Sequence, residues 1–180
     1  KNAKVKKTTG GISMENLSDA LLIIDLQKGV CFAGETINHF SELITTVNLR
    51  IQRYREQNKL ILFVQHCDEI LVPHSETWEI VEELDRKPND ITLQKSHTNS
   101  FYHTDLQKNL QQKNITSLEI CGAQTQYCID ATVKFAHGLG YQLTMLKNGS
   151  TTYDNDFLSA EETIAFYENI WNKRFLQLIQ

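Results

Sequence analysis

The chain has 180 residues, 41% of them hydrophobic and 22% charged, and a formal net charge of -4. That length suits one domain with a substantial apolar core. The acidic balance, with Lys and Arg dispersed, argues against nucleic acid as a partner, and no apolar run approaches the roughly 20 residues of a membrane span. The cysteines, Cys31, Cys67, Cys121 and Cys128, form neither a disulfide-dense pattern nor a CxxC pair, so reduced thiols and a cytoplasmic protein are expected. The basic cluster at Lys1, Lys4, Lys6 and Lys7 lacks the apolar core of a secretory signal. Residues 1–17 are read as an extension ahead of a single domain over residues 18–180.

Apolar runs bounded by turn signals alternate with amphipathic stretches, the βαβα pattern of a parallel sheet covered by helices on both faces. Ala20-Leu-Leu-Ile-Ile-Asp25 reads as a buried strand ending on a carboxylate. From Ile37 to Gln57, Phe40, Leu43, Ile44, Val47 and Ile51 recur at helical intervals. Leu60–Gln65 and Ile91–Gln94 supply two more strands, with Pro73 and Pro88 between them and a small helix expected over Glu76–Leu84. Thr104 with Gln107 has capping-box spacing for a helix ending near Lys113. Ser117–Cys121 is a fourth strand that Gly122 is expected to break, followed by a helix over Tyr127–Leu139. Tyr141–Leu146 is a fifth strand, Ser159 with Glu162 opens another capped helix, and Phe175–Ile179 closes the sheet as a sixth.

In such a sheet, ligands bind outside the carboxyl ends of the strands, where the strand order reverses. Asp25, Lys95 and Cys128 all fall at strand ends, so a base, a cation and a thiol can share one crevice. Taken singly, an Asp after a strand suits a turn, a Lys suits solvent, and a Cys suits the core. Cys128 stands out because a helix N-terminus favours a thiolate and should lower the thiol pKa. The same feature would also suit a thiol redox sensor.

Three blocks are similar to the isochorismatase-like cysteine hydrolases, which include nicotinamidases and N-carbamoylsarcosine amidase. They are Ala20-Leu-Leu-Ile-Ile-Asp25-Leu-Gln27, then Leu93-Gln-Lys95-Ser-His-Thr-Asn-Ser-Phe101, then Cys121-Gly-Ala-Gln-Thr125-Gln-Tyr-Cys128-Ile-Asp-Ala-Thr132. The resemblance implies a three-layer αβα sandwich whose six parallel strands run in the order 3-2-1-4-5-6. It also implies a catalytic triad of Asp25, Lys95 and Cys128, and a cis peptide at Ala123-Gln124. By position, the backbone amides of Gln124 and Cys128 would form an oxyanion hole. A homodimer or homotetramer would fit the family.

The nucleophilic thiol points to amide, carbamoyl or lactam cleavage in a small molecule rather than vinyl-ether hydrolysis, with no cofactor required. A catalytically idle metabolite-binding relative is the alternative of a different class. Nicotinamidases carry Asp-x-His-x-x-His after the second strand, where this chain reads His66-Cys67-Asp68-Glu69-Ile70-Leu71, so no metal is expected. His66, Asp68 and His74 have ligand-type side chains, but His66 is read as a hydrogen-bonding group in the pocket. Gln27, Phe32, Trp78, Phe101 and Tyr127 complete the candidate substrate contacts, with Trp78 and Phe101 equally suited to the core.

Overall fold

The computed structural model describes residues 16–180, and the basic leader lies outside the described residues. One sheet contains β1 (Ala20–Ile24), β2 (Leu60–His66), β3 (Ile91–Lys95), β4 (Ser117–Ala123), β5 (Gln142–Leu146), β6 (Ser150–Thr151) and β7 (Gln177–Ile179). The order is β3-β2-β1-β4-β5-β7, with β6 beside β4, and every pairing is parallel. The sheet therefore has one strand more than the six expected. β6 is two residues of Ser and Thr, too short and too polar to register as an apolar run. It pairs with Gly122 and Ala123, beyond the stretch of β4 that pairs with β5.

Among the described residues, five α-helices accompany the sheet: α1 (Lys28–Cys31), α2 (Phe40–Glu56), α3 (Leu106–Gln112), α4 (Asp130–Gly138) and α5 (Ala160–Trp171). Because strand side chains alternate between faces, β1 sends Leu21 and Ile23 to one side and Ala20, Leu22 and Ile24 to the other. On the first side they meet Leu43, Val47, Ile51 and Tyr54 of α2. On the second they meet Leu106 and Leu110 of α3, Val133 and Ala136 of α4, and Trp171. All five residues of β1 are buried, as a central strand sandwiched between helical layers must be.

Local signals fare unequally. Ser159 and Glu162 form a reciprocal capping box at α5. At the other expected box, Thr104 donates to the Ser100 carbonyl and accepts from the Leu106 amide, while the N-cap of α3 falls on Asp105, whose side chain makes no capping bond, so the reciprocal box with Gln107 does not form. Glu76–Leu84 is not helical, because its backbone binds the chain that follows β1. Lys28 N donates to Glu79 O, Gly29 N to Thr77 O and Val81 N to Leu26 O.

Gly122 does not end β4; it lets β4 continue. Its φ is +130°, and a Cβ there would lie 2.0 Å from the Ile24 carbonyl oxygen and 2.8 Å from the Ile24 nitrogen. Backbone-to-backbone approach this close leaves room only for hydrogen. Replacing Gly122 with Ala is expected to cost more than about 3 kcal/mol, with a clash against fixed backbone added to a left-handed φ. Urea denaturation followed by circular dichroism checks this; a midpoint equal to the parent's would show that β1 and β4 can separate.

Candidate active site

Four neighbouring strands each bring one polar group to their carboxyl ends. Asp25 directly follows β1, with φ +53°, a left-handed turn that Asp tolerates better than most residues. Its amide still donates to Val64 O, so the backbone stays in register with β2 while the chain turns away. His66 and Lys95 are the paired last residues of β2 and β3. Cys128 sits in a π-helical turn, Thr125–Ile129, that joins β4 to α4 and follows the cis Ala123-Gln124 peptide. Thr125 shares a hydrogen bond with Ser150 of β6, and Thr152 donates to the Gln124 side chain, so the overlooked strand braces this turn.

Lys95 is the hub. Its side chain is 0% exposed, and Nζ lies 2.7 Å from Asp25 Oδ2, 3.0 Å from His66 Nδ1 and 3.2 Å from Cys128 Sγ. An ammonium has three donors and no acceptor, so all three protons are engaged. His66 Nδ1 must then accept, which places the ring proton on Nε2. Asp25 is 2% exposed, and its second oxygen, Oδ1, has no hydrogen-bond partner. The ligand-type atoms of Asp25, His66 and Cys128 lie within 4.8 Å of one another, a spacing a metal could bridge, but the Lys95 ammonium already binds all three. His66, Asp68 and His74 form no such cluster among the described residues.

Burial dominates the protonation states. It raises the Asp25 carboxyl above its usual range against the opposing pull of Lys95. It pushes the Cys128 thiol up to about 12, and the neighbouring Asp25 charge pushes in the same direction. The helix-terminus expectation of a lowered thiol pKa is thus overturned: desolvation and a carboxylate outweigh the field of a short turn. His66 is lowered by burial and by Lys95, so the ring is neutral near pH 7. The resting site holds one cation, one carboxylate and a neutral thiol.

These groups form the floor of a cavity of about 310 Å³ walled by Gly29, Val30, Ile70, Leu71, Thr98 and Tyr127, with Asp25, His66, Asp68, Gln124 and Cys128. Four of the expected substrate contacts lie elsewhere. Gln27 is fully buried and clamps the β2 end, donating to His66 O and Trp78 O and accepting from His66 N. Trp78 donates to Cys67 Sγ at 3.2 Å. Phe101 is 7% exposed and packs on Phe135 and Tyr141. Phe32 packs edge-on against Phe40 and lines an adjacent surface groove. Thr98 was missed, and Asp68 was weighed only as a metal-ligand type, although Asp68-Glu-Ile-Leu has the short-range pattern by which an Asp side chain caps its own turn.

A sequence model of the isochorismatase domain matches residues 19–166, and the chain belongs to the isochorismatase family. A crystal structure of an isochorismatase family protein superposes with a TM-score of 0.87 at 39% identity, covering 89% of this chain and 97% of that one. Streptothricin hydrolase of Streptomyces noursei is 24% identical over 138 residues, or 75% of this chain and 50% of the relative, so the chain spans about half that protein's length. Ureidoacrylate amidohydrolase of Agrobacterium fabrum is 30% identical over 84 residues, 46% of this chain and 37% of the relative.

Replacing Asp25 with Asn should lower the Cys128 pKa from its value of about 12, because the carboxylate that opposes the thiolate is removed while the Lys95 charge stays. Alkylation by iodoacetamide, followed at Cys128 by mass spectrometry across pH, should then begin at lower pH than in the parent protein. An unshifted profile would mean that Asp25 does not act on the thiol.

Proposed function

We propose that the chain is a cysteine hydrolase that cleaves the C–N bond of a small amide, carbamoyl or lactam substrate. Cys128 is the nucleophile, Asp25 the proton acceptor and Lys95 the cation that organises both. The observation that carries this reading is the Lys95 ammonium, bonded at once to Asp25 Oδ2 at 2.7 Å and Cys128 Sγ at 3.2 Å beneath an open cavity. The family and relatives named as a hydrolase and an amidohydrolase support the same class of reaction.

Charge balance dictates the first step. Losing the thiol proton to water would leave two anions against one buried cation. Passing it to Asp25 keeps the net charge of the site unchanged and replaces a carboxylate–ammonium pair with a thiolate–ammonium pair. Asp25 suits this role because burial has raised its proton affinity and Oδ1 is free to receive the proton. The thiolate then attacks the substrate carbonyl, forming a C–S bond while the carbonyl electron pair moves to oxygen.

The backbone N–H groups of Gln124 and Cys128 receive that oxyanion, each donor contributing about 3 kcal/mol in comparable sites. As the C–N bond breaks, Asp25 returns its proton to the departing nitrogen. Water next gives a proton to Asp25 and its oxygen to the acyl carbon. The C–S bond breaks, the acid leaves, and the proton returns to sulfur.

Cys128→Ala and Lys95→Met should each lower kcat/KM by more than about a thousandfold, the scale of losing a nucleophile or its organising group. Ammonia or amine release from a panel of small amides, carbamoyl compounds and lactams is the measurement. Amidase activity that survives Cys128→Ala would refute the mechanism.

A further inference from the structure

The charges that line the cavity are unequal. Lys95 is matched by Asp25 and has no proton left to offer a ligand. His66 is held neutral, with its ring proton on Nε2. No Lys or Arg lines the cavity among the described residues, and the one remaining charge is Asp68. Its Oδ1 accepts from the amides of Ile70 at 2.8 Å and Leu71 at 2.7 Å, which fixes the side chain and holds its carboxyl below the usual range. Its Oδ2 lies 3.6 Å from His66 Nε2, too far for a hydrogen bond, and is free to accept one from a ligand.

Moving the thiol proton to Asp25 does not alter this sum, so the cavity carries one uncompensated negative charge both at rest and when activated. Around it, Val30, Ile70, Leu71 and Tyr127 supply apolar wall. A substrate carboxylate would meet Asp68 with no cation to receive it. A substrate ammonium would meet an ionised acceptor that its own turn holds in place, and although the Asp68 side chain is 44% exposed, the charge-assisted hydrogen bond it offers has no cationic rival in the cavity.

Building on the cysteine-hydrolase reading, we propose that this site selects a small amide that carries a protonated amine, with Asp68 as the specificity residue that binds the amine and turns away carboxylate-bearing analogues.

Two methanethiosulfonates test this without requiring turnover, the cationic 2-aminoethyl and the anionic 2-sulfonatoethyl reagents. Each gives a mixed disulfide as the Cys128 thiolate attacks the sulfenyl sulfur and methanesulfinate leaves. Rates at Cys128 are read by mass spectrometry and divided by those at 2-mercaptoethanol, so that intrinsic reactivity and the thiolate fraction cancel in the cation-to-anion ratio. The normalised ratio should exceed about tenfold at low salt and shrink as the ionic strength rises toward about 0.5 M. Asp68→Asn, which keeps the oxygen that caps Ile70 and Leu71, should lower the ratio at least threefold, by the same Coulomb scale.

A smaller change, or a parent ratio that favours the anion, overturns the assignment. Labelling needs no amide chemistry, so a lost charge preference in an active amidase rejects this inference alone. A retained preference in a protein that hydrolyses no amide rejects the amidase reading alone.

Discussion

A lysine ammonium with 0% side-chain exposure must find all its hydrogen-bonding partners inside the protein, since water cannot supply them. Lys95 finds three, on three other segments: Asp25 after β1, His66 at the end of β2, and Cys128 in the turn after β4. These strands lie side by side as β3-β2-β1-β4, so satisfying one cation draws four strand ends to a point. Removing any acceptor leaves a buried proton unpaired, and removing the lysine leaves a buried carboxylate uncompensated. Sheet order and site chemistry are therefore one constraint.

The approach of β4 to β1 at Gly122 has the same effect from the backbone side. With no Cβ to hold them apart, β4 runs on beside Ile24 to Ala123, and the π-helical turn then carries Cys128 over the end of β1. β6, Thr152 and Gln124 brace that turn from the far side. Gln27 performs the corresponding service for His66, holding both its amide and its carbonyl. The site is thus supported by buried polar clamps as much as by apolar packing, consistent with the need to hold reacting groups within narrow geometric limits.

Desolvation sets the chemistry these clamps permit. It holds the Cys128 thiol in its protonated form near neutral pH, and it raises the proton affinity of Asp25 above that of a surface carboxylate. In the proposed mechanism, a thiol so guarded is quiet toward solvent and becomes a nucleophile by an internal proton transfer to Asp25. Asp68 adds the one carboxylate of the cavity lining that no Lys or Arg of that lining balances, the charge on which the proposed amine selectivity rests.

Sequence pattern by itself determined the alternation of strands and helices and the parallel αβα class, because apolar periodicity is a local property of the chain; it placed Asp25, Lys95 and Cys128 at strand ends, while their grouping as a triad came from the family resemblance of three sequence blocks. The Ser159 capping box was legible for the same reason. Tertiary structure decided everything that depends on distant partners: the non-helical 76–84 segment held by the chain after β1, the two-residue β6, and the role of Gly122 as a contact rather than a break. It also turned Gln27, Trp78 and Phe101 from candidate ligand contacts into braces and core, and it raised the thiol pKa that a local helix-end view would lower. Burial and charge neighbourhood are sums over residues far apart in sequence, so only the folded chain could fix their sign.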